Sequence, residues 1–289
     1  MIPEKLTAYF ENTIKDHWNQ IALRDYDNGE KTYADAGNII LNLHELFRNN
    51  NIQKGDKIAL IGKNSGDWAC IYLATVTYGA VIVPLLQDFT PNDIYNLVNH
   101  SDSKLLFISD FIFNKLKPDV FTQLEGIYQL ENYKLLHSYT NQSATYSAKE
   151  QGIGLADFKL EQIDNGELAA ILYTSGTSGN PKGVMLTHNA LAANIRYARA
   201  NMPLRAGDRI VSFLPLAHSY GCAFEFLYPF TLGCSITFLG KLPAPQVVIK
   251  AFNEIKPRLI LSVPLVMEKV YKTKIKPQLQ KPLIAFMSK

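Results

Sequence analysis

The sequence predicts an α/β fold of largely parallel sheets covered by helices, and three observations carry that expectation. Short apolar runs alternate with helical periodicities from Gln20 to Ser109 and again from Leu168 to Lys272, with only short turns between them. Two long runs without ionised groups, Trp68–Gln87 and Ile210–Gly240 (the latter interrupted only by Glu225), are broken by Gly79, Pro84, Pro215, Gly221, Pro229 and Gly233. They therefore parse as buried helix-to-strand passages, since a membrane span needs about 20 residues of continuous helix. Finally, 289 residues with 47% apolar and 19% charged side chains have the composition of a globular chain with ample core.

In order, Thr7–Trp18 reads as an amphipathic helix, and Gln20–Asp25 and Lys31–Tyr33 as strands joined by a turn at Asp27-Asn28-Gly29. Tyr33–Asn49 has helical spacing at Ala36, Ile39, Ile40, Leu43, Leu46 and Phe47. Lys54-Gly55-Asp56 turns into the strand Lys57–Ile61, and Asn64–Asp67 opens a helix that runs to Tyr78 and ends at Gly79. Ala80–Leu85 is a strand. Thr90 is a cap for a helix beginning at Pro91, and Lys104–Ser109 is the next strand. Asp110–Gly166 carries little pattern, and Tyr139–Gly154, rich in Ser, Thr, Asn and Gln, reads as surface loop.

The chain's most informative stretch is Leu168–His188. Leu168–Tyr173 is an apolar run that predicts a central strand. The ten residues Thr174–Gly183 that follow hold four hydroxyls, three glycines and a lysine, and no hydrophobic side chain beyond Pro181. Glycines let backbone N–H groups approach phosphate oxygens, short hydroxyls add donors, and a lysine adds a mobile charge. The segment is not a Walker loop, because Lys182 lies between Pro181 and Gly183. Nor is it a Gly-x-Ser-x-Gly elbow, because Asn180 stands two residues after Ser178. Beyond it, Asn189–Asn201 reads as helix and Arg209–Leu214 as strand, with Pro215–Gly221 at its carboxyl end, where open α/β sheets bind ligands. Cys222–Leu232, Ser235–Leu239, Pro245–Lys256, Arg258–Val263 and Pro264–Lys272 then alternate helix, strand, helix, strand, helix.

The ordered string Tyr-Thr-Ser-Gly-Thr-Ser-Gly-Asn-Pro-Lys-Gly-Val (173–184) closely resembles the phosphate-loop signature of the adenylate-forming (AMP-binding) superfamily. Lys31-Thr32-Tyr33, the Gly79–Leu85 segment and Pro215-Leu216-Ala217-His218-Ser219-Tyr220-Gly221 are similar to further motifs of that family. Leu259–Tyr271 resembles long-chain fatty-acid–CoA ligases in particular. The resemblance implies the N-terminal core of an acyl-CoA synthetase, here in two portions, 1–166 and 167–289, ending before the C-terminal lid. It implies ATP, Mg²⁺ and CoA as cofactor and co-substrates, and a long-chain fatty acid as substrate. By the same carry-over Thr174 would hold Mg²⁺, and Ser175, Gly176, Thr177, Ser178 and Gly179 would wrap the β/γ-phosphates with Lys182 as charge partner. His218, Tyr220, Gly221, Cys222 and Phe224 would line the acid pocket. The family's downstream Tyr-Gly-x-Thr-Glu and Thr-Gly-Asp strings do not occur in this sequence. The expectation is therefore that these residues alone do not form acyl-AMP. Two rival readings remain: an aryl-acid or amino-acid adenylating enzyme, or a non-catalytic nucleotide- or acyl-binding module.

Composition narrows the partners. The net charge of +3 conceals a segment, Val266–Lys289, with six lysines against Glu268, so the preceding body is near neutral and a nucleic-acid partner is not indicated. Such a basic end can meet an anionic membrane surface, although a solvated helix face is its commoner use. Cys70, Cys222 and Cys234 are odd in number and set in apolar runs, as in a cytoplasmic protein, and the six histidines lack ligand spacing.

Overall fold

Local chemistry sets the element boundaries in a computed structural model of the chain, which describes residues 4–26, 28–140, 144–148, 152–174, 181–240, 245–264, 268, 271–272 and 276–279. Helix α1 (Leu6–Asp16) leads to strands β1 (Ile21–Asp25) and β2 (Glu30–Thr32). Helix α2 (Tyr33–Asn49) starts on a reciprocal cap, in which Thr32 Oγ1 accepts from Asp35 N and Asp35 accepts from Thr32 N. After β3 (Lys57–Ile61), helix α3 (Gly66–Tyr78) starts where Ser65 Oγ accepts from Trp68 N, and it stops at Gly79, whose φ of 88° suits glycine. Strand β4 (Val81–Leu85) follows, then α4 (Pro91–His100), which opens with the same reciprocal cap at Thr90 and Asp93.

Next come β5 (Ser103–Ile108), the short α5 (Asp110–Phe113), β6 (Gly126–Gln129) and β7 (Leu135–Ser138). The last three fall in the stretch with little sequence pattern, because they are short and β7 is only half-buried. Strand β8 (Leu168–Thr174) turns back into β9 (Lys182–Thr187), followed by α6 (His188–Asn201) and β10 (Arg209–Ser212). A continuous helical stretch combines α7 (Ser219–Gly221), a π-helix (Cys222–Leu227) and α8 (Tyr228–Phe230). Strand β11 (Ser235–Phe238), α9 (Pro245–Ile255) and α10 (Lys276–Leu279) complete the described elements.

The strands form two sheets, ordered β7-β6-β5-β3-β4-β8-β9 and β10-β11-β1-β2. Pairing is parallel throughout except at β6–β7, β8–β9 and β1–β2, so each antiparallel strand lies on a sheet edge. Helix α3 is buried along its length and packs on β1 as well as on β3 and β4, which explains its lack of an amphipathic stripe. A large core joins α1, α2, α3 and the helix around Phe226 to one face of the wide sheet. A second core under α4 and α5 covers the other face.

Three sequence expectations are corrected. Strand β8 is sixth of seven rather than central, because β9 returns along its outer side. Lys182 and Gly183 belong to that returning strand and not to a continuous loop. The strand expected over Arg258–Val263 reduces to one bridge, Ile210 to Leu259, with Arg258 N donating to Arg209 O. Pro257 and Pro264 bracket it and supply no N–H. Residues 1–166 and 167–289 interleave as portions of one core, since β1 and β2 pair into the sheet of β10 and β11 while β8 and β9 join the sheet of β3–β7. Most of Pro264–Lys272, with the Leu259–Tyr271 resemblance it carries, lies outside the described residues.

Candidate functional site

Strands β8 and β9 form a hairpin whose last pair is Thr174 and Lys182, both exposed. A hydroxyl and an ammonium thus stand side by side where the chain leaves the sheet. Ser175, Gly176, Thr177, Ser178 and Gly179 lie outside the described residues. The hairpin's base is fixed from the side, since the Tyr173 hydroxyl lies 2.7 Å from His100 Nδ1 at the end of α4. Across from Tyr173, a Cβ on Gly183 would fall 3.0 Å from Ile171 Cγ2 and 3.5 Å from the Tyr173 ring, so glycine suits this position.

Because β8 runs parallel to β4, Thr174 emerges on the edge that also carries the residues after Leu85. At that edge a crevice opens between the two sheets, enclosing about 440 Å³ with its open mouth. One side is Gly62 and Asn64 after β3, with Leu85 at the end of β4 and Leu86–Asp88 after it; the other is Phe213, Pro215, Leu216 and Ala217 after β10. Three strands from two sheets thus direct their carboxyl ends to the crevice, the usual location of ligands in open α/β sheets, and β8 ends on the same edge of the wide sheet as β4.

The Phe213–Ala217 turn is held from both sides. Glu225 Oε2 accepts from Phe213 N and Leu214 N, both at 2.9 Å. Asn64 Nδ2 donates to Leu214 O at 2.8 Å, and Asn64 Oδ1 accepts from Leu216 N at 3.1 Å. Glu225 is 1% exposed, and its Oε1 lacks a hydrogen bond among the described residues. Burial pushes this carboxyl up to about 8 against the two backbone donors. Ser212 Oγ lies beside it and favours the ionised form without a hydrogen bond of standard geometry. Neither Asn64 nor Glu225 is among the residues singled out in the sequence for a site. The available signal was Glu225's being the lone charge in Ile210–Gly240.

Of the five residues expected to line an acid pocket, none borders this crevice directly; they begin one residue past Ala217. His218 is exposed. Tyr220 and Phe224 meet edge to face at 5.4 Å on the helix start. Gly221 is buried, and a Cβ there would fall 2.7 Å from Pro215 O, so glycine lets the helix close on the turn. Cys222 faces inward, its buried thiol against the Tyr72 hydroxyl.

Alongside the crevice, Lys31 Nζ lies 3.2 Å from Asp67 Oδ1, which also accepts from the Tyr133 hydroxyl at 2.6 Å. Asp25 Oδ1 accepts from Gly66 N at 2.8 Å; burial raises its carboxyl, with this bond and Lys31 opposing. These contacts tie the ends of β1 and β2 to the first turn of α3. Among the described residues no group of three His, Cys, Asp or Glu side chains could hold a metal ion. Thr174 offers a single oxygen, fewer than the six ligands of an octahedral Mg²⁺.

Residues 10–286 match the family model described as AMP-binding enzyme. The chain belongs to the AMP-binding enzyme family. Within it, the chain is 30% identical over 257 residues to a chloroplastic long-chain-fatty-acid–acyl-carrier-protein ligase of Arabidopsis thaliana, covering 83% of this chain and 35% of that protein. It is 29% identical over 239 residues to the medium-chain fatty-acid–CoA ligase of Escherichia coli, covering 81% of this chain and 42% of that one. The chain thus spans about two fifths of the length of these curated relatives. In fold it is similar to the Klebsiella oxytoca NpsA N-terminal subdomain in complex with 3-hydroxybenzoyl-AMSN, with a TM-score of 0.76 and 16% identity over 95% of this chain and 64% of that one. Among the described residues no helix is long and apolar enough to cross a membrane.

Proposed function

We propose that this chain is the phosphate- and acid-binding part of an ATP-dependent fatty-acid–CoA ligase. The observation that supports the reading is that Thr174, paired with Lys182, ends β8 on the same edge of the wide sheet as β4, whose following residues face the apolar Phe213–Ala217 turn across the crevice. In this chemistry a carboxylate oxygen attacks the α-phosphorus of ATP, the bond to the bridging oxygen breaks, and pyrophosphate leaves with the electron pair. The CoA thiol then gives up its proton and attacks the acyl carbon, and AMP departs. No protein nucleophile is needed. The protein orients the reactants and stabilises charge on the departing phosphates. Thr174 contributes a hydroxyl, Lys182 an ammonium, and Ser175–Gly179 backbone and hydroxyl donors. Mg²⁺, when bound, neutralises phosphate charge, and Thr174 is the described residue suited to touch it.

Phe213, Pro215, Leu216 and Ala217 form the near wall for the acid, continued by Tyr220 and Phe224 with Gly221 beneath. His218 stands at the exposed mouth, and Cys222 backs the wall from the core. A long aliphatic chain suits this apolar surface, each buried methylene contributing about 0.8 kcal/mol. A second reading, an aryl acid, is favoured by the Tyr220–Phe224 pair, on which a ring could stack. Amino acids are poor ligands on either reading, because the one carboxylate bordering the crevice among the described residues is the exposed Asp88, where water competes for an ammonium. Titrating fatty acids of increasing length, aryl acids and amino acids separates the three. A flat response to chain length overturns the fatty-acid assignment.

The phosphate half is tested by titrating Mg-ATP into the chain. Thr174→Ala should weaken binding roughly tenfold or more, and Lys182→Ala less, since a solvent cation can replace a flexible ammonium. Pyrophosphate exchange should stay at background in the isolated chain. Unaltered ATP affinity in Thr174→Ala removes that residue from the site, and exchange above background refutes the inactivity. The same reading has a cytoplasmic protein whose basic Val266–Lys289 segment contacts an anionic bilayer, tested by sedimentation with phosphatidylserine vesicles.

A further inference from the structure

We propose that Asn64 and Glu225 are positioning residues that fix the Phe213–Ala217 turn between the two sheets, and thereby set the acid-binding wall. The inference rests on the reading of that turn as the acid's near wall. Its observation is that four backbone groups of one turn are held by two side chains from different elements.

Asn64 reproduces the bonding of a strand neighbour. In a parallel ladder one residue accepts from the N–H of one partner residue and donates to the C=O of another two positions earlier. The Asn64 side chain accepts from Leu216 N and donates to Leu214 O, so its amide stands in for a peptide group where β10 has already ended. Asn64 itself follows β3 and borders the crevice. The distance between the crevice's two sides is therefore set by one amide reaching from the wide sheet to the turn of the narrow one.

Glu225 works from behind. It lies in the π-helix, a widened turn of the kind often found at functional sites. A fully buried carboxyl in a run otherwise free of ionised groups is costly unless it is used, and here Oε2 gathers two consecutive N–H groups at the point where the chain leaves β10. Gly221 completes the arrangement by letting the helix start press on Pro215 O. The turn is held front and back, with Phe213, Pro215, Leu216 and Ala217 lining the crevice.

The split between acid and nucleotide affinity distinguishes positioning from general support, because Thr174 and Lys182 hang from another strand. The probes are dodecanoate and Mg-ATP, titrated into the 289-residue chain. Asn64→Ala and Asn64→Asp should weaken dodecanoate at least about tenfold and leave Mg-ATP affinity within about twofold. In Asn64→Asp the anion cannot donate to Leu214 O and is repelled by it, so its loss should be the larger. Glu225→Ala should weaken dodecanoate likewise, and Glu225→Gln, which keeps an oxygen for both N–H groups, should restore it. Should Glu225→Ala fail to fold, the two Asn64 variants, at a half-buried site, still decide. Unchanged dodecanoate affinity in Asn64→Ala, or equal losses of acid and nucleotide affinity, overturns the proposal alone. Wild-type chain that binds Mg-ATP but no acid overturns the reading of the wall, and the positioning role with it.

Discussion

Glu225→Gln should flatten the alkaline decline in this protein's stability. In the folded chain the Glu225 carboxyl is raised from 4.5 to about 8, chiefly by burial. Below about pH 4 both folded and unfolded states hold the proton, and the residue has no pH-dependent effect. Between about pH 5 and about pH 8 the unfolded chain has released it and the folded chain retains it. The folded state then binds more protons, so stability falls as pH rises. Each unit of displacement corresponds to about 1.4 kcal/mol, giving a loss on the order of 4–5 kcal/mol that is complete above the folded value. Glutamine does not titrate. Its oxygen can accept from Phe213 N and Leu214 N, and its NH₂ group can donate to the nearby Ser212 Oγ. Urea unfolding of both proteins across this range is the assay. The variant's advantage should grow by about 1.4 kcal/mol per pH unit from about pH 5 to about pH 8 and then level off. A difference that stays constant with pH would show that the carboxyl titrates alike in both states, and the reasoning from burial would fail.

Gly221→Ala should lower the thermal midpoint, since overpacking against the fixed Pro215 carbonyl costs about 1–3 kcal/mol; an unchanged melting curve would mean the turn yields freely. The three cysteines should resist a thiol reagent at pH 8 until the chain unfolds. All are buried, and burial raises each thiol, Cys222 and Cys234 to about 12. Rapid native labelling of any one would contradict this. Tyr173→Phe should release the β8–β9 hairpin from His100 at a cost of about 1 kcal/mol, read as faster hydrogen exchange at the Val184 and Leu186 amides.

Where the chain signals its own boundaries, the fold was legible. Thr32–Asp35, Ser65 and Thr90–Asp93 cap the helices that their spacing predicts, and Gly79 ends α3 as expected. Parallel pairing followed from the alternation of strand and helix. The hairpin was only half visible, because Pro181 and Gly183 read as loop although Lys182 and Gly183 pair along β8. Strands β6 and β7 have four residues each, too few for periodicity to register. At the candidate site, the donor-rich string singles out Thr174 and Lys182 by composition. Asn64 and Glu225 are marked by no local pattern, because their hydrogen bonds reach a turn that lies 150 positions from Asn64 and 11–12 from Glu225. Residue type says what a side chain can bond, while the direction it takes is settled by tertiary packing.

The interleaving of the sheets bears on how the chain is made. Leu23 of β1 pairs with Ile236 of β11, 213 positions later. At a synthesis rate of about 5–20 residues per second, β1 and β2 would wait roughly 10–40 s for a parallel neighbour. Throughout that interval a two-stranded ribbon keeps one edge open to the wrong partner, and such ribbons are marginally stable alone. A chain released before Phe238 could fold much of the seven-stranded sheet yet leave Ala22 and Leu23 without β11, so nascent chains stalled short of that point should be held by chaperones longer than those stalled beyond it.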